Sequence, residues 1–319
     1  MGDKQDRSRS ILQKLFFVLS DYESRHEWYI NFKRKMGLPY EKSALKLKYK
    51  LLIGGKMNLR KPRTLCEKLN WLKINYRKPE FTEMVDKFEA KKYVEKRVGP
   101  NHVIPTLGIW ENADDIDFEI LPNKFVLKPT HDSGGLIICK DKSKLNIADA
   151  RKKLNDSLSH DFYERFYEWP YKNVKHRIIA EPLIEQLGQI DSIEYKTTCF
   201  NGKVGFVTIC TGIAHDENGN RFNDHFDRDF NRLSWKVYYE PAPISPQKPE
   251  QWDELIEFCE KLSKDIPYLR VDTYIIDGKI LFGEMTFYTW GGIMKFEPKE
   301  WDLKLGHMLK LPKKYKKGK

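Results

Sequence analysis

Two apolar, β-rich runs near the end of the chain, Leu269-Arg270-Val271-Asp272 and Phe282-Gly283-Glu284-Met285-Thr286, are separated by the turn Asp277-Gly278-Lys279. Asp-Gly between such runs is a hairpin signal, because a tight turn that matches strand twist needs positive φ at both central residues. Folding the runs together predicts that Asp272 and Glu284 lie side by side. A second segment, Phe125-Val126-Leu127-Lys128-Pro129-Thr130-His131-Asp132-Ser133-Gly134-Gly135, puts a lysine at the end of an apolar strand and follows it with a small, flexible loop. That arrangement suits backbone amides and an ammonium closing over phosphates. Paired carboxylates beside phosphates suit Mg²⁺, which takes a few hard oxygens and leaves its other positions to water and substrate.

Composition excludes several alternatives. A chain of 319 residues with 40% hydrophobic and 32% charged residues can bury a sizeable core and is not disordered. Its five cysteines have no paired short spacing, so neither a zinc site nor a disulfide framework is expected, and a reducing cytoplasm fits. No apolar run approaches the roughly 20 residues that span a bilayer. The stretch from Ile11 to Leu19 lacks a following small-residue cleavage site, so it reads as a docking helix or an interfacial one rather than a signal peptide. Net charge is +11, and the first 80 residues carry 20 Lys and Arg against 8 acids, with another basic cluster from Lys313 to Lys319. Such asymmetry suits an anionic partner, although solvated lysine-rich helices also account for it.

Along the chain, residues 10–95 read as helical and basic, with Thr64 and Glu67 spaced as a capping box. A helix around Asp86 to Val94 should end at Gly99-Pro100. Residues 123–184 read as strand, glycine loop, strand, helix and strand, and 194–209 as a hairpin about Asn201-Gly202. A helix near 249–265 leads into the acidic hairpin. In domain terms the reading is a basic helical region at 1–80, the start of a core at 81–122, a small lid-like subdomain at 123–185, a larger subdomain with the metal site at 186–312, and a basic tail at 313–319.

The ordered set Asp86-Lys87, Phe125 to Lys128 with His131 to Gly134, Ile178-Ile179-Ala180-Glu181, Tyr195-Lys196 with Cys199 to Lys203, Arg270-Val271-Asp272 and Phe282 to Thr286 resembles the ATP-grasp superfamily. Within it, the branch typified by the teichuronopeptide biosynthesis protein is the nearest pattern, over residues 80–312. The resemblance implies an α+β fold in which two antiparallel sheets sandwich ATP. It assigns the nucleotide to Lys87, Lys128, Ser133, Gly134, Gly135, Glu181 and Leu183, with Glu185 or Asp191 on the ribose. Lys196 and Arg270 would offset charge on the transferring phosphoryl group, and Asp272, Glu284 and Thr286 would hold Mg²⁺. Thr286 stands where many relatives carry asparagine, which makes a second metal less secure. The aromatic and glycine segment from Phe287 to Gly292 falls at the expected acceptor end, where core packing explains it equally well.

What the resemblance implies in function is an ATP-dependent ligase that activates a uronic-acid carboxylate of a surface polysaccharide as an acyl phosphate and joins it to an amino acid or amine. Alternatives are a kinase or glycosyltransferase of the same pathway, and a non-enzymatic protein that binds polyanions or a membrane surface. Expected partners are a polysaccharide or sugar acid and an amine, with the basic regions available to the inner face of the membrane and no specific nucleic-acid binding. The expected location is the cytoplasm.

Overall fold

Among the described residues, the lysine-rich region before Gly54 carries two helices that pack on each other, α1 (Tyr22–Lys35) and α2 (Glu41–Ile53). Gly54 ends α2 in the left-handed conformation, and its N–H donates to the Lys50 carbonyl. The computed structural model describes residues 22–132, 135–188, 192–212 and 221–315. The stretch 11–19, Ser133, Gly134, Asp191 and the end of the basic tail lie outside them.

The chain divides into two compact units between Lys61 and Pro62. The basic region read as one block over 1–80 therefore does not stay together, because helix α3 (Leu65–Asn75) belongs to the second unit. Tertiary hydrogen bonds explain this. Cys66 N donates to Asp302 Oδ1 at 2.9 Å, and Lys68 Nζ donates to the carbonyls of Gly306 and Leu309 at 2.6 and 2.7 Å. Gly306 lies in helix α9 (Glu300–Met308), and a Cβ there would come within 2.3 Å of the Arg63 carbonyl, so only glycine admits this approach. Thr64 and Glu67 form the expected capping box at the start of α3.

Two antiparallel sheets organise the second unit. The first has the order β1-β4-β2-β3, from β1 (Gly108–Trp110), β2 (Phe125–Pro129), β3 (Ile137–Cys139) and β4 (Ile178–Pro182). Alternation in β2 sends Phe125 and Leu127 into a core with Ile116, Cys139, Leu154, Ile178 and Ala180, under the helix Ile147–Leu158. Val126 and Lys128 consequently face the other way, beside Glu181 of β4 and the exposed Ile138 of β3.

The second sheet has the order β7-β6-β5-β8-β9. Its strands are β5 (Glu194–Phe200), β6 (Lys203–Thr211), β7 (Phe222–Phe226), β8 (Tyr268–Ile276) and β9 (Lys279–Thr286). Both hairpin turns take positive φ at both positions, 52° and 79° at Asn201-Gly202 and 49° and 74° at Asp277-Gly278. The helix Trp252–Ser263 covers one face, where Cys199 Sγ approaches the Cys259 carbonyl. The opposite face carries the polar residues described below. No described helix is long and apolar enough to cross a membrane.

Removing the α3 cap should be felt by the second unit. Thr64→Ala should lower unfolding free energy by about 1 kcal/mol, with Thr64→Ser close to wild type, as read by urea denaturation.

Candidate functional site

Strand register decides which side chains meet. Lys196 of β5 pairs with Asp272 of β8, and Asp272 pairs with Glu284 of β9. The next row on the same face pairs Thr198, Arg270 and Thr286. Side chains two residues apart on a strand share a face, so the two rows form a single polar patch. Asp272 has no exposed surface. Its carboxylate accepts from Arg270 Nε at 2.6 Å, Arg270 Nη2 at 2.7 Å and Lys196 Nζ at 2.6 Å. Arg270 Nη2 also reaches Glu284 Oε1 at 3.0 Å, so one guanidinium bridges both acids. Lys196 is shared in turn with Glu194 Oε2 at 2.8 Å.

Burial alone would raise the Asp272 carboxyl pKa, but Arg270 first and Lys196 next outweigh it and hold the group below the ordinary carboxylate value. Burial likewise opposes charge on Arg270 and Lys196, yet Asp272 drives both pKa values up. All three groups are thus ionised together. A β-bulge between Asp272 and Thr273 places Gly283 where a Cβ would meet the Asp272 carbonyl at 3.0 Å.

From the first sheet, Lys128 Nζ pairs with Glu181 Oε2 at 2.5 Å, and Lys91 Nζ of the helix Glu89–Val98 takes Oε1 at 2.6 Å. Burial would raise the Glu181 pKa, but Lys128 and Lys91 together hold it below its ordinary value. Lys87 lies just before the helix Glu89–Val98. Its N–H donates to the Thr130 carbonyl at 3.1 Å and its ammonium to the Asp132 carbonyl. Burial lowers the Lys87 pKa, with Glu284 close enough to oppose the shift and Lys128 close enough to add to it. Lys87 is thus within electrostatic reach of Lys128 on the first sheet and of Glu284 on the second.

The loop after Lys128 is anchored from behind. Asp132 Oδ2 accepts from Ser157 Oγ at 2.7 Å, and His131 stacks on His176 with ring centroids 3.6 Å apart. Gly135 has φ 66°, and a Cβ there would strike Ser157 and Pro129. Past β4, the Leu183 N–H points to the Lys124 carbonyl at 3.5 Å. Leu183 lines a cavity of about 520 Å³ that runs from Ile184 and Gln186 to the hairpin tip at Ile276 and Asp277. Glu185, one of the two ribose candidates, pairs with Lys124 at 2.5 Å. A second cavity, about 550 Å³, opens at the β7 edge beside Asn223, His225 and Trp235.

Asp272, Glu284, Thr286, Arg270 and Lys196 are brought together by strand register, and Lys87 lies within electrostatic reach of Glu284 and of Lys128. Among the described residues, no group of three or more Asp, Glu, His and Cys forms a metal cage. A pair of carboxylates is nonetheless what Mg²⁺ takes from a protein, and here the single Arg270 guanidinium bridges that pair.

Several participants were not legible in the sequence. Lys91 and Glu194 carry no motif. Glu168, from the short helical segment Trp169–Asn173 and its preceding residue, is buried close to Lys73, Arg270 and Glu284. Burial, partly offset by Lys73 and Arg270 and reinforced by Glu284, lifts its pKa to about 7. A raised folded-state pKa contributes stability below the unfolded value near 4.5 that is lost as pH rises through about 7. Glu168→Gln should therefore flatten the decline in melting temperature of the wild type between those pH values, as measured by calorimetry across a pH series.

A family model, TupA-like ATPgrasp, matches residues 67–310. Among curated proteins none matches this sequence. Among solved structures, a D-alanine–D-alanine ligase from Bacillus anthracis complexed with ATP aligns at 18% identity over 64% of this chain and 55% of that one, with a TM-score of 0.37. D-cycloserine synthetase DcsG aligns at 15% identity over 71% and 69%, with a TM-score of 0.40. The ADP complex of purK, an N5-carboxyaminoimidazole ribonucleotide synthetase, aligns at 16% identity over 65% and 46%, with a TM-score of 0.40. The chain spans about half the length of the first and third of these, 55% and 46%. With motifs in order, two antiparallel sheets in place and a family match over most of the second unit, the chain belongs to the TupA-like ATP-grasp family.

Proposed function

We propose that this enzyme is an ATP- and Mg²⁺-dependent carboxylate–amine ligase of surface-polysaccharide biosynthesis, acting on a uronic-acid carboxylate. The observation that carries the reading is the polar row Lys196, Asp272 and Glu284, flanked by Arg270 and Thr286, with Lys87 in electrostatic reach of Glu284 and Lys128. Asp272, Glu284 and Thr286 would hold Mg²⁺, which when bound withdraws charge from phosphate oxygens and orients them. Lys128 and Lys87 grip the phosphates at the mouth of the glycine loop. The apolar flank of Val126 and Ile138 and the cavity beside Leu183 suit a flat base.

Arg270 and Lys196 supply the charge that the transferring phosphoryl group needs, in a setting already dry enough to enclose Asp272 completely. The acceptor carboxylate oxygen attacks the γ-phosphorus as the bond to ADP breaks. An amine nitrogen then attacks the acyl carbon, phosphate leaves and the amine proton is released, giving an amide. Positioning and electrostatics do the chemistry, so no serine, histidine and acid arrangement is called for. The basic N-terminal unit supports a polyanionic acceptor or the inner membrane face as its partner.

ADP release should require both a uronate and an amine and should be matched by free phosphate, as followed by a coupled ADP assay. Asp272→Asn should lower kcat by about 10²-fold or more. A kinase would leave a phosphorylated product without free phosphate, and a sugar-transferring enzyme would bind UDP or GDP. Protein that binds no MgATP in calorimetry would sink the proposal.

A further inference from the structure

Three aromatic rings gather where the polar network ends. Trp290 and Tyr238 lie with ring centroids 4.7 Å apart, and Tyr239 is 6.2 Å from Trp290. The Arg221 guanidinium sits 5.0 Å over the Tyr239 ring. From Arg221 the contacts run inward without a break, through Glu194 at 3.8 Å and Lys196 at 2.8 Å to Asp272 at 2.6 Å. The rings therefore belong to the neighbourhood of the phosphoryl-transfer centre.

Core packing does not account for them. Trp290 is 45% exposed and Tyr238 59% exposed. Both also hold left-handed backbone, with φ of 51° and 65°, which bulky side chains avoid. Surrounding bonds keep the strained turn in place. Lys73 Nζ donates to the Gly291 carbonyl, Asn70 Nδ2 to the Gly292 carbonyl at 2.7 Å, and Tyr268 Oη to Thr289 Oγ1 at 2.8 Å. The Tyr238 hydroxyl donates to the Ile293 carbonyl at 3.3 Å. Rings held out into water by a strained and heavily bonded backbone are a display, not a filling.

Aromatic faces are electron-rich and attract the weakly positive C–H face of a pyranose ring. A guanidinium beside them attracts a carboxylate and repels an amine. We propose that Trp290, Tyr238 and Arg221 form a subsite for an acidic sugar unit of the acceptor, its ring lying on the aromatic faces and its carboxylate turned to Arg221. The placement of that acceptor rests on the ligase reading; the subsite's preference for an acidic sugar does not.

The test is calorimetric titration of the full chain, without nucleotide, with a glucuronic-acid tetrasaccharide and with a neutral glucose tetrasaccharide. The acidic one should bind and the neutral one should bind about tenfold more weakly or not at all. Trp290→Asn, chosen because asparagine tolerates left-handed backbone, and Arg221→Gln should each weaken acidic binding about tenfold or more, while Trp290→Phe retains most of it. Unchanged melting temperatures would show that each variant is folded; should Trp290→Asn unfold, Arg221→Gln and the neutral sugar decide alone. Equal affinity for both sugars, indifference to these substitutions, or no binding of either sugar would overturn the subsite. MgATP binding is measured separately. Protein that binds MgATP but no sugar sinks the subsite alone, whereas protein that binds the acidic sugar but no MgATP sinks the ligase reading and leaves the subsite standing.

Discussion

A carboxylate with no exposed surface, Asp272, is the residue on which the arrangement depends. An ionised carboxylate is costly to bury unless it is paired and hydrogen-bonded. Asp272 meets that demand through three charge-assisted bonds, two from Arg270 and one from Lys196. Those bonds fix the positions of both cations. Arg270 is thereby aimed at Glu284 as well, and Lys196 at Glu194. The protein thus gathers two cations and three carboxylates on one face of a sheet.

Each sheet contributes one open face because a helix has taken the other. Under the helix Ile147–Leu158 the first sheet buries Phe125, Leu127 and Ile178, which leaves Lys128 and Glu181 on its far side. Under the helix Trp252–Ser263 the second sheet buries Cys199, Leu269 and Val271, which leaves Lys196, Arg270 and Asp272 on its far side. Period-two alternation thus separates Phe125 and Leu127 from Lys128 on β2, and Leu269 and Val271 from Arg270 and Asp272 on β8. Segments with no regular chemistry of their own, such as the Trp290 turn and the stretch holding Glu168, close around these faces and are held by Lys73 and Asn70 of α3.

Local patterns carried much of this. Asp277-Gly278 and Asn201-Gly202 announced hairpins because few other dipeptides accept two positive φ values in succession, and Thr64 with Glu67 announced a helix start because a capping box needs only a spacing of three. By contrast, Lys91, Glu168, Glu194 and Arg221 sit among ordinary charged residues, and nothing nearby in sequence marks them. Lys91 matters because Glu181, far along the chain, is its partner. The division after Lys61 has a related cause: charge runs continuously through residue 80, whereas tertiary bonds tie α3 to α9.

By itself the sequence determined the strands that carry Lys128, Lys196, Arg270, Asp272 and Glu284 and the turns between them, though not β1 or β7, since those features follow from backbone sterics and side-chain period over a few residues. Only the tertiary structure decided the partners. Which cation neutralises Asp272, which lysine comes within electrostatic reach of Glu284 and which rings are left in water depend on register and on packing between segments far apart in the chain. Charge pairing in a buried site is a property of distances across the fold, and no short stretch of sequence contains them.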